Sequence, residues 1–471
     1  METQNRSITN KRNSQAPRVL RVGLALTLLL CLGVQSLRAQ SSTPQQTRLV
    51  VSDSLGLNGI LNLCALLNCS KVEALGDPQG QLFMIEVPSA LNPLTSLLNL
   101  QLLGLVSIET DQAVQTQGAS AGPAPSYLTD EAPFQYYGTT VWHGYVYQPG
   151  NQLIRTDATH STFNTAGSGV VVADIDTGVD PNHPVLQGSL LSGYDFTRNQ
   201  SGGSEMGDVS QSAVAVLDGS GEPAQVSQSA VAVLDQSAVA VLDGNEYAAF
   251  GHGTMTAGLI HLVAPQAKIM PLKSFQADGS GYNSDILRAI YYAVGHGAKV
   301  INMSFNYSTY SQQLANAVNY ATSNGVICVA AAGNSGEQVN VYPGALKGVI
   351  DVASTGNSDV ASSFSNYGAP PVWLAAPGEG VMTTYPFGTY AAGWGTSFST
   401  PLVSGAAALM SSAYQAQPTL QGMLKLAGSG TESQAAGALA HSQSIPNPSM
   451  GNGRLDTYQA MQAWRSNLGM Y

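Results

Sequence analysis

Short apolar segments alternate with helical segments between residues 170 and 354, and this alternation restricts the possible folds more than any other feature. Residues 284–296 and 311–324 have helical spacing of their apolar side chains, with Asn283 or Ser284 as the predicted N-cap of the first. Strands that alternate with helices predict a parallel sheet covered by helices on both faces. The strand-like segments are residues 170–176, 267–273, 299–304, 326–332 and 349–354.

The composition is that of a globular protein with a large core and many tight turns. The chain has 471 residues, of which 50 are glycine, and only 10% of its residues are charged. Its net charge is −11 at pH 7, and no basic stretch follows the N-terminal region. Because nucleic-acid partners require a basic surface, these values argue against one.

The first 39 residues have the layout of a secretory signal peptide. Basic residues between positions 6 and 21 precede an apolar run, Val22–Val34, and small residues then lead to Ala39. The alternative is a single membrane anchor, but the run is shorter than the ~20 residues that a spanning helix needs. We therefore predict cleavage after Ala39 and release to the periplasm or the medium, with no stable membrane anchor afterwards.

A small domain is predicted over residues 46–115. Its strand-like and helical segments follow each other in the order β-α-β-β-α-β, which is the ferredoxin-like arrangement. Residues 116–137 begin with a stretch rich in Gln, Gly, Ala, Ser and Pro and are predicted to be a linker; the main domain covers residues 138–471. The segments of the small domain are residues 48–52, 57–67, 71–75, 82–87, 91–103 and 105–110.

The cysteines suggest one bridge and no metal site. Cys64 and Cys69 could form a disulfide in an oxidising compartment. Cys328 lies in an apolar strand segment without an obvious partner, which favours a buried, inert thiol. No spacing of Cys and His suggests zinc.

An octad, QSAVAVLD, occurs three times, at residues 211–218, 228–235 and 236–243. It alternates small and apolar residues, so it could form short strands. Its position marks an insertion at about residues 201–245 in the main domain. One interpretation is a tandem duplication tolerated in a surface loop, and the other is a substrate-facing or adhesive flap.

Three motifs supply the groups of a nucleophilic acyl-transfer site. They are Asp176-Thr177-Gly178, His252-Gly253-Thr254 and Gly395-Thr396-Ser397. A serine hydroxyl is a poor nucleophile until a base takes its proton, and an imidazole base needs a carboxylate that fixes its tautomer. The chain order Asp, His, Ser is one of three known orders for this chemistry. Asp176, His252 and Ser397 are therefore the candidate catalytic residues.

Two further features fit the same chemistry. Ser397 leads into a run of small apolar residues, so it would lie at a helix N-terminus, where unpaired N–H groups favour negative charge. Asn334 follows the apolar segment 326–332, and its amide could donate to a tetrahedral oxyanion together with the Ser397 backbone N–H. The alternative is that Asn334 only caps a turn.

Residues from about 140 to 471 resemble the subtilisin-like serine proteases (subtilases, peptidase family S8). The resemblance implies a three-layer fold with a central parallel sheet covered by helices on both faces. It assigns Asp176 as orienting acid, His252 as base and then acid, Ser397 as nucleophile and Asn334 as oxyanion donor. The matching segments are ADIDTGVDPNHP (173–184), GHGTMTAG (251–258), VAP (263–265), ADGSG (277–281), VINMS (300–304), VAAAGN (329–334), FSNYG (364–368), AAPG (375–378), GTSFSTP (395–401) and GNGRLD (451–456).

The resemblance also concerns the small domain and the substrate cleft. Residues 46–115 are similar to the propeptide that inhibits members of this family, assists their folding and is then removed. The family lines its cleft with backbone from two segments, which implies substrate-binding roles for Ser304, Phe305 and Asn306 and for Ala331, Ala332 and Gly333. The first segment lacks the glycines usual in the family, which makes that wall of the cleft bulkier.

Two departures from the family pattern have physical consequences. Asp174 occupies a core strand where an apolar residue is usual, so it needs a hydrogen-bonding partner or a shifted pKa. Only Leu259–Val263 separates the His motif from Ala264, and Val185 replaces an acidic residue, so the loop of the family's tight calcium site is absent. We expect no cofactor and assign no metal ligands; the alternative is calcium binding at a site other than this loop.

The combined expectation is a secreted serine endopeptidase that is made as a self-inhibited precursor. It would act as a monomer on protein or peptide substrates, with its own propeptide as an intramolecular inhibitor. Two other functions share the same motifs. One is a non-catalytic relative used for binding, with its cleft blocked by the insertion, and the other is a peptide ligase or cyclase, in which an amine intercepts the acyl-enzyme.

Overall fold

The structure is a computed structural model, and its described residues from Thr47 onward belong to one compact unit. Within the chain it describes residues 46–89, 105–116, 122–209, 231–233, 247–368, 370–415 and 431–467. The predicted signal peptide, the predicted helix at 91–103 and most of the octad repeats lie outside these described residues.

The strands, numbered along the chain, are β1 (Gln46–Asp53), β2 (Lys71–Ala74), β3 (Leu82–Pro88), β4 (Leu105–Thr110), β5 (Ala113–Gln115), β6 (Pro133–Tyr136), β7 (Thr139–Trp142), β8 (Val171–Asp176), β9 (Tyr194–Asp195), β10 (Gln200–Ser201), β11 (Val231–Val233), β12 (Lys268–Lys273), β13 (Ser280–Tyr282), β14 (Val300–Met303), β15 (Ile327–Ala331), β16 (Val349–Thr355), β17 (Leu374–Pro377), β18 (Val381–Tyr385) and β19 (Thr389–Gly393).

The helices are α1 (Leu57–Leu67), α2 (His143–Tyr147), α3 (Pro149–Leu153), α4 (Thr156–Phe163), α5 (His252–Val263), α6 (Asn283–Gly295), α7 (Gln312–Ser323), α8 (Thr396–Gln415), α9 (Thr431–Leu439) and α10 (Thr457–Asn467). Among the described residues, none of these helices has the length and apolar character needed to cross a bilayer.

The main sheet has eight strands in the order β10-β9-β12-β8-β14-β15-β16-β17. The pairings from β9 to β17 are parallel, and only β10 runs antiparallel at one edge. Each parallel pairing needs a crossover connection, and helices supply several of them. The predicted fold class, a parallel sheet covered by helices on both faces, is confirmed.

Adjacent residues of the central strands face opposite cores, because side chains alternate along a strand. Val172 of β8 packs with α5 and α8, whose residues Leu262 and Leu402 belong to the same cluster. Ala173, one position later, packs with Ile286 of α6 on the other face. All twelve residues of α5 are buried, so this helix lies inside the domain rather than on its surface.

The small domain contains a four-stranded sheet in the order β2-β3-β1-β4, and α1 packs against it through Ile60 and Leu63. This strand order is that of a ferredoxin-like sheet. Cys64 and Cys69 form a disulfide, and Cys328 is a buried thiol in β15 outside that disulfide, both as the sequence suggested.

Tertiary contacts determine three local features that the sequence did not reveal. In the second half of the predicted linker, β6 pairs with β7, and the buried Tyr136 donates its hydroxyl to the carbonyl of Leu262. Glu205, which lies within the predicted insertion, is fully buried in the main domain. The predicted N-cap is wrong. The start of α6 has no side-chain cap from Asn283 or Ser284; instead Asp111 of the small domain accepts from the Ser284 backbone N–H at 2.8 Å.

Candidate active site

The predicted acid and base meet where the end of β8 faces the start of α5. Asp176 is the last residue of β8, and His252 is the first residue of α5. Nδ1 of His252 lies 2.7 Å from Oδ1 of Asp176, and both side chains are buried. Sites form at the carboxyl ends of parallel strands because the chain leaves the sheet there. The sheet thus joins two residues that are 76 positions apart.

The surroundings of His252 make its imidazole easier to protonate than that of a free histidine. Burial by itself lowers the pKa of the imidazole, but the charge and the hydrogen bond of Asp176 raise it, and charges on Asp174 and Glu205 add to this. The net pKa lies above the ordinary value of 6.5. A carboxylate on Nδ1 also leaves Nε2 as the nitrogen that can accept a proton.

Ser397 lies in the first turn of α8, as the sequence predicted, and its side chain is buried next to the cleft wall. Its Oγ donates to the carbonyl oxygen of Ser304 at 2.9 Å. The ring of the next residue, Phe398, lies 5.6 Å from the imidazole of His252. The structure therefore gathers the acid, the imidazole and the hydroxyl in one region of the molecule.

Asn334 is tied to the same turn through Thr396. Its Oδ1 accepts from the Thr396 backbone N–H at 2.9 Å and from the Thr396 hydroxyl at 3.0 Å. Because the oxygen is held in this way, the amide nitrogen is the donor that the side chain can present elsewhere. Thr396 had no role in the sequence analysis, although it belongs to the serine motif.

The two predicted walls of the cleft lie next to each other. They follow the neighbouring strands β14 and β15, and a Cβ on Gly333 would lie 3.2 Å from Oδ1 of Asn306. The ring of Phe305 packs 4.9 Å from that of Phe275 and is only 2% exposed. Phe305 would therefore meet a substrate through its backbone, since its side chain belongs to the core.

Asp174 has the partners and the shifted pKa that its buried position requires. Oδ2 accepts from the hydroxyl of Thr256 at 2.9 Å, and Oδ1 accepts from the amide of Asn302 at 2.8 Å. Burial, with the negative charge of Asp176, raises the pKa of Asp174 to about 8. The protonated form of Asp174 is therefore more favoured than that of an exposed aspartate.

A buried acid and a buried base beneath the Asp176 turn were not found from the sequence. Glu205 accepts from the hydroxyls of Thr177 and Thr254 and from the N–H of Gly251. Nζ of Lys273 donates to the carbonyl of Thr177 at 2.8 Å. The only available signal was that Glu205 lies between the first two motifs, in a segment assigned to the insertion.

One octad reaches the neighbourhood of the serine motif. Val231–Val233 of the second repeat forms β11, which pairs antiparallel with Ala391–Gly393 of β19. Gly393 is three positions before Thr396. The octad therefore does form a strand, and this strand extends the hairpin that leads into α8.

In the part of the chain that the structure describes, no group of three or more His, Cys, Asp and Glu side chains could hold a metal ion. Residues Leu259–Val263 form the end of α5 and are buried there.

Comparisons with known proteins agree on one family. Residues 167–455 match the model of the subtilase family. Thermitase from Thermoactinomyces vulgaris is 36% identical over 280 residues, which are 56% of this chain and 85% of thermitase. Subtilisin Savinase from Lederbergia lenta is 36% identical over 55% of this chain and 82% of its own length.

Two further matches differ in coverage. A thermophilic serine proteinase from Bacillus sp. (strain AK1) is 34% identical, and the chain spans 62% of its length. A solved structure described as a lanthipeptide protease is similar with a TM-score of 0.51 and 25% identity, covering 67% of this chain and 94% of that one.

We predict that Asp174→Asn changes the pH dependence of stability. The unfolded carboxyl ionises above its ordinary pKa of 3.8, whereas the folded one keeps its proton up to about 8. The unfolded state then binds fewer protons, so this group lowers the free energy of unfolding as pH rises from about 4 to about 8. Asn cannot ionise and retains an acceptor oxygen, so the variant should be stabilised relative to wild type at pH 9, by about 1.4 kcal/mol for each unit by which the folded pKa exceeds the unfolded one.

The measurement is the urea midpoint of both proteins at pH 5 and pH 9. Asp157→Asn is the control, because Asp157 is exposed at the surface of α4. A shift of the Asp174→Asn midpoint that is equal at both pH values would contradict the prediction.

Proposed function

The chain belongs to the subtilase family of serine endopeptidases, and we propose that it is a secreted member in which Asp176, His252 and Ser397 form the catalytic triad. The observation that carries the assignment is the 2.7 Å contact between Nδ1 of His252 and Asp176, with Ser397 at the start of the neighbouring α8. Secretion is inferred from the signal-like sequence of the first 39 residues.

In the proposed reaction, Nε2 of His252 removes the proton of the Ser397 hydroxyl while Oγ attacks the peptide carbonyl carbon. The hydroxyl must first leave its present acceptor, the carbonyl of Ser304. The oxyanion of the tetrahedral intermediate would receive hydrogen bonds from the Asn334 amide and the Ser397 backbone N–H. His252 then gives its proton to the departing amine, and water hydrolyses the acyl-enzyme by the same steps.

We further propose that the small domain is an intramolecular inhibitor. Its last described strand, β5, pairs antiparallel with β13, and Val114 of β5 is buried. β13 is close to the catalytic acid: Gly281 bridges to Phe275, whose N–H points at the carbonyl of Asp176 at 3.3 Å. A strand added at this edge occupies backbone groups that an extended peptide substrate would use.

Two acidic side chains of the small domain also cap the N-termini of helices in the main domain. Asp111 accepts from the Ser284 backbone N–H and hydroxyl, both at 2.8 Å, at the start of α6. Glu109 accepts from the Gln313 N–H at 3.0 Å and the Ser311 hydroxyl at 2.7 Å, at the start of α7. Helix N-termini favour carboxylates because their first N–H groups lack partners. These contacts support a small domain that binds tightly and assists folding of the main one.

We predict that Ser397→Ala abolishes both peptide hydrolysis and maturation, because the nucleophile is lost. In subtilisin, loss of the nucleophile lowers kcat by roughly 10⁶-fold, and a similar loss is expected here. Mass spectrometry of the secreted protein should show a small domain removed from wild type and retained in Ser397→Ala. Processing in both proteins would contradict self-cleavage, and hydrolysis of a peptide by the variant would exclude the triad.

The pH dependence of kcat/KM gives a second check. Because the pKa of His252 is raised and the base must be neutral, activity should fall on the acid side at a pH above the ordinary histidine value. An activity that stays constant down to pH 5 would contradict His252 as the base.

We predict that Glu109→Gln with Asp111→Asn shortens the self-inhibited stage. Each helix cap contributes about 1 kcal/mol, so the double variant should weaken the small domain's grip by about 2 kcal/mol, or roughly 30-fold. The measurement is the lag between appearance of the cleaved form on a gel and appearance of peptidase activity. Asp53→Asn is the matched control, since the Asp53 carboxylate accepts from the Leu55 N–H within the small domain. Equal lags for the double variant and wild type would refute the inhibitory contact.

A further inference from the structure

Glu205 is a fully buried acid that none of the proposed catalytic steps uses. It precedes a short 3-10 turn, Met206–Asp208, and lies against the turn that follows Asp176. A Cβ on Gly178 would lie only 2.8 Å from the backbone nitrogen of Glu205, so the two segments are in direct backbone contact. Burial of a carboxylate is costly unless donors satisfy it. The donors around Glu205 therefore indicate what it does.

Both oxygens of Glu205 are occupied by groups from the two segments that carry the acid and the base. Oε2 accepts from the Thr177 hydroxyl at 3.0 Å and from the Gly251 N–H at 2.8 Å. Oε1 accepts from the Thr254 hydroxyl. Thr177 directly follows Asp176, and Gly251 directly precedes His252. One carboxylate thus bonds to the neighbours of both catalytic side chains.

Each of the two threonine hydroxyls also accepts a hydrogen bond from a backbone N–H. Thr177 Oγ1 accepts from the Gly253 N–H at 3.0 Å, and Thr254 Oγ1 accepts from the Asp180 N–H at 2.8 Å. A hydroxyl has one proton, so a hydroxyl that donates to Glu205 turns its lone pairs toward these N–H groups. An ionised Glu205 can only accept, and it therefore fixes the direction of both hydroxyls. Gly253 lies in the first turn of α5, whose N–H groups need partners from outside the helix.

The charge of Glu205 acts on the imidazole as well. Burial raises the pKa of Glu205 to about 7, although its three hydrogen bonds and the charge of Lys273 oppose the shift. In its ionised form the side chain places a negative charge against the backbone N–H of Gly251, the residue before His252. Its charge is one of those that raise the pKa of His252.

We propose that Glu205 is a positioning residue for the pair Asp176–His252: its carboxylate holds the turn after Asp176 against the first turn of α5 and favours the imidazolium form of His252. The proposal rests on the proposed function, in which His252 is the general base. Glu205 lies in the segment just before the first octad repeat, so this segment also has a role in the site.

The test compares Glu205→Gln, Glu205→Asp and wild type. Gln keeps the size and one acceptor oxygen but removes the charge, so we expect kcat to fall on the order of tenfold, KM to change little, and the acid limb of kcat/KM to move to lower pH. Asp keeps the charge on a shorter side chain that cannot reach all three donors. Its acid limb should stay near that of wild type while its kcat is reduced.

Asp456→Asn is the matched control for loss of a buried carboxylate. Asp456 is 3% exposed and bonds to Arg155 and to the start of α10, outside the set of groups proposed to act in the reaction. The Asp456→Asn variant should have a kcat within about twofold of wild type, and the acid limb of its kcat/KM profile should lie at the same pH as in wild type. Thermal midpoints of all variants report any loss of stability separately.

A second measurement does not depend on peptidase activity. In the full chain carrying Ser397→Ala and ¹⁵N-labelled histidine, NMR titration reads the pKa of His252 directly. Adding Glu205→Gln should lower this pKa, and adding Asp456→Asn should not. If wild type hydrolyses no peptide, the proposed function fails, while this titration still decides the effect of Glu205.

Either of two results would overturn the proposal. One is a Glu205→Gln enzyme with a lower thermal midpoint but an unmoved acid limb and an unchanged His252 titration, which would make Glu205 merely structural. The other is a Glu205→Asp enzyme with wild-type kcat, which would show that the exact reach of the side chain is unimportant. The second result remains available if Glu205→Gln does not fold.

Discussion

The hydrogen bond between Asp176 and His252 depends on the parallel sheet. Asp176 has a fixed position because β8 lies in the middle of the sheet, paired with β12 on one side and β14 on the other. His252 has a fixed position because α5 is buried along its whole length against the same sheet. The position of Ser397 is fixed in turn, because α8 packs beside α5. The Ser397 hydroxyl donates to the carbonyl of Ser304, the residue after β14. Displacement of β8 or α5 would therefore separate all three groups at once.

Around this bond the protein buries several ionisable groups. Burial raises the pKa of Asp174 to about 8 and that of Glu205 to about 7. Lys273 is fully buried, and its Nζ is occupied by two carbonyls and the carboxylate of Asp208. Buried charges are tolerated only where partners satisfy them. Their cost is consistent with a role in fixing geometry and the base's pKa rather than in adding stability.

The small domain contacts the main domain through polar groups, one added strand and an apolar face. Val50, Leu75 and Met84 of the small domain belong to the same buried cluster as Ile286 and Leu314 of the main domain. Glu109 and Asp111 act at the starts of two helices, and β5 lies along the edge formed by β13. The polar contacts fix the orientation of the small domain, and burial of its apolar face favours association.

The sequence by itself determined the chemistry of the reacting groups and the order of the core elements. Asp176, His252 and Ser397 stand in motifs whose glycines and small residues are visible locally, and strand and helix periods follow from neighbouring side chains. Even the need of Asp174 for partners followed from its place in an apolar strand. The tertiary structure alone decided the supporting contacts. Glu205 bonds to residues 28, 46 and 49 positions away, and Asp111 caps a helix 173 positions away. The burial, hydrogen-bond donors and pKa of a carboxylate depend on segments that meet only after folding, so no local sequence pattern predicts them.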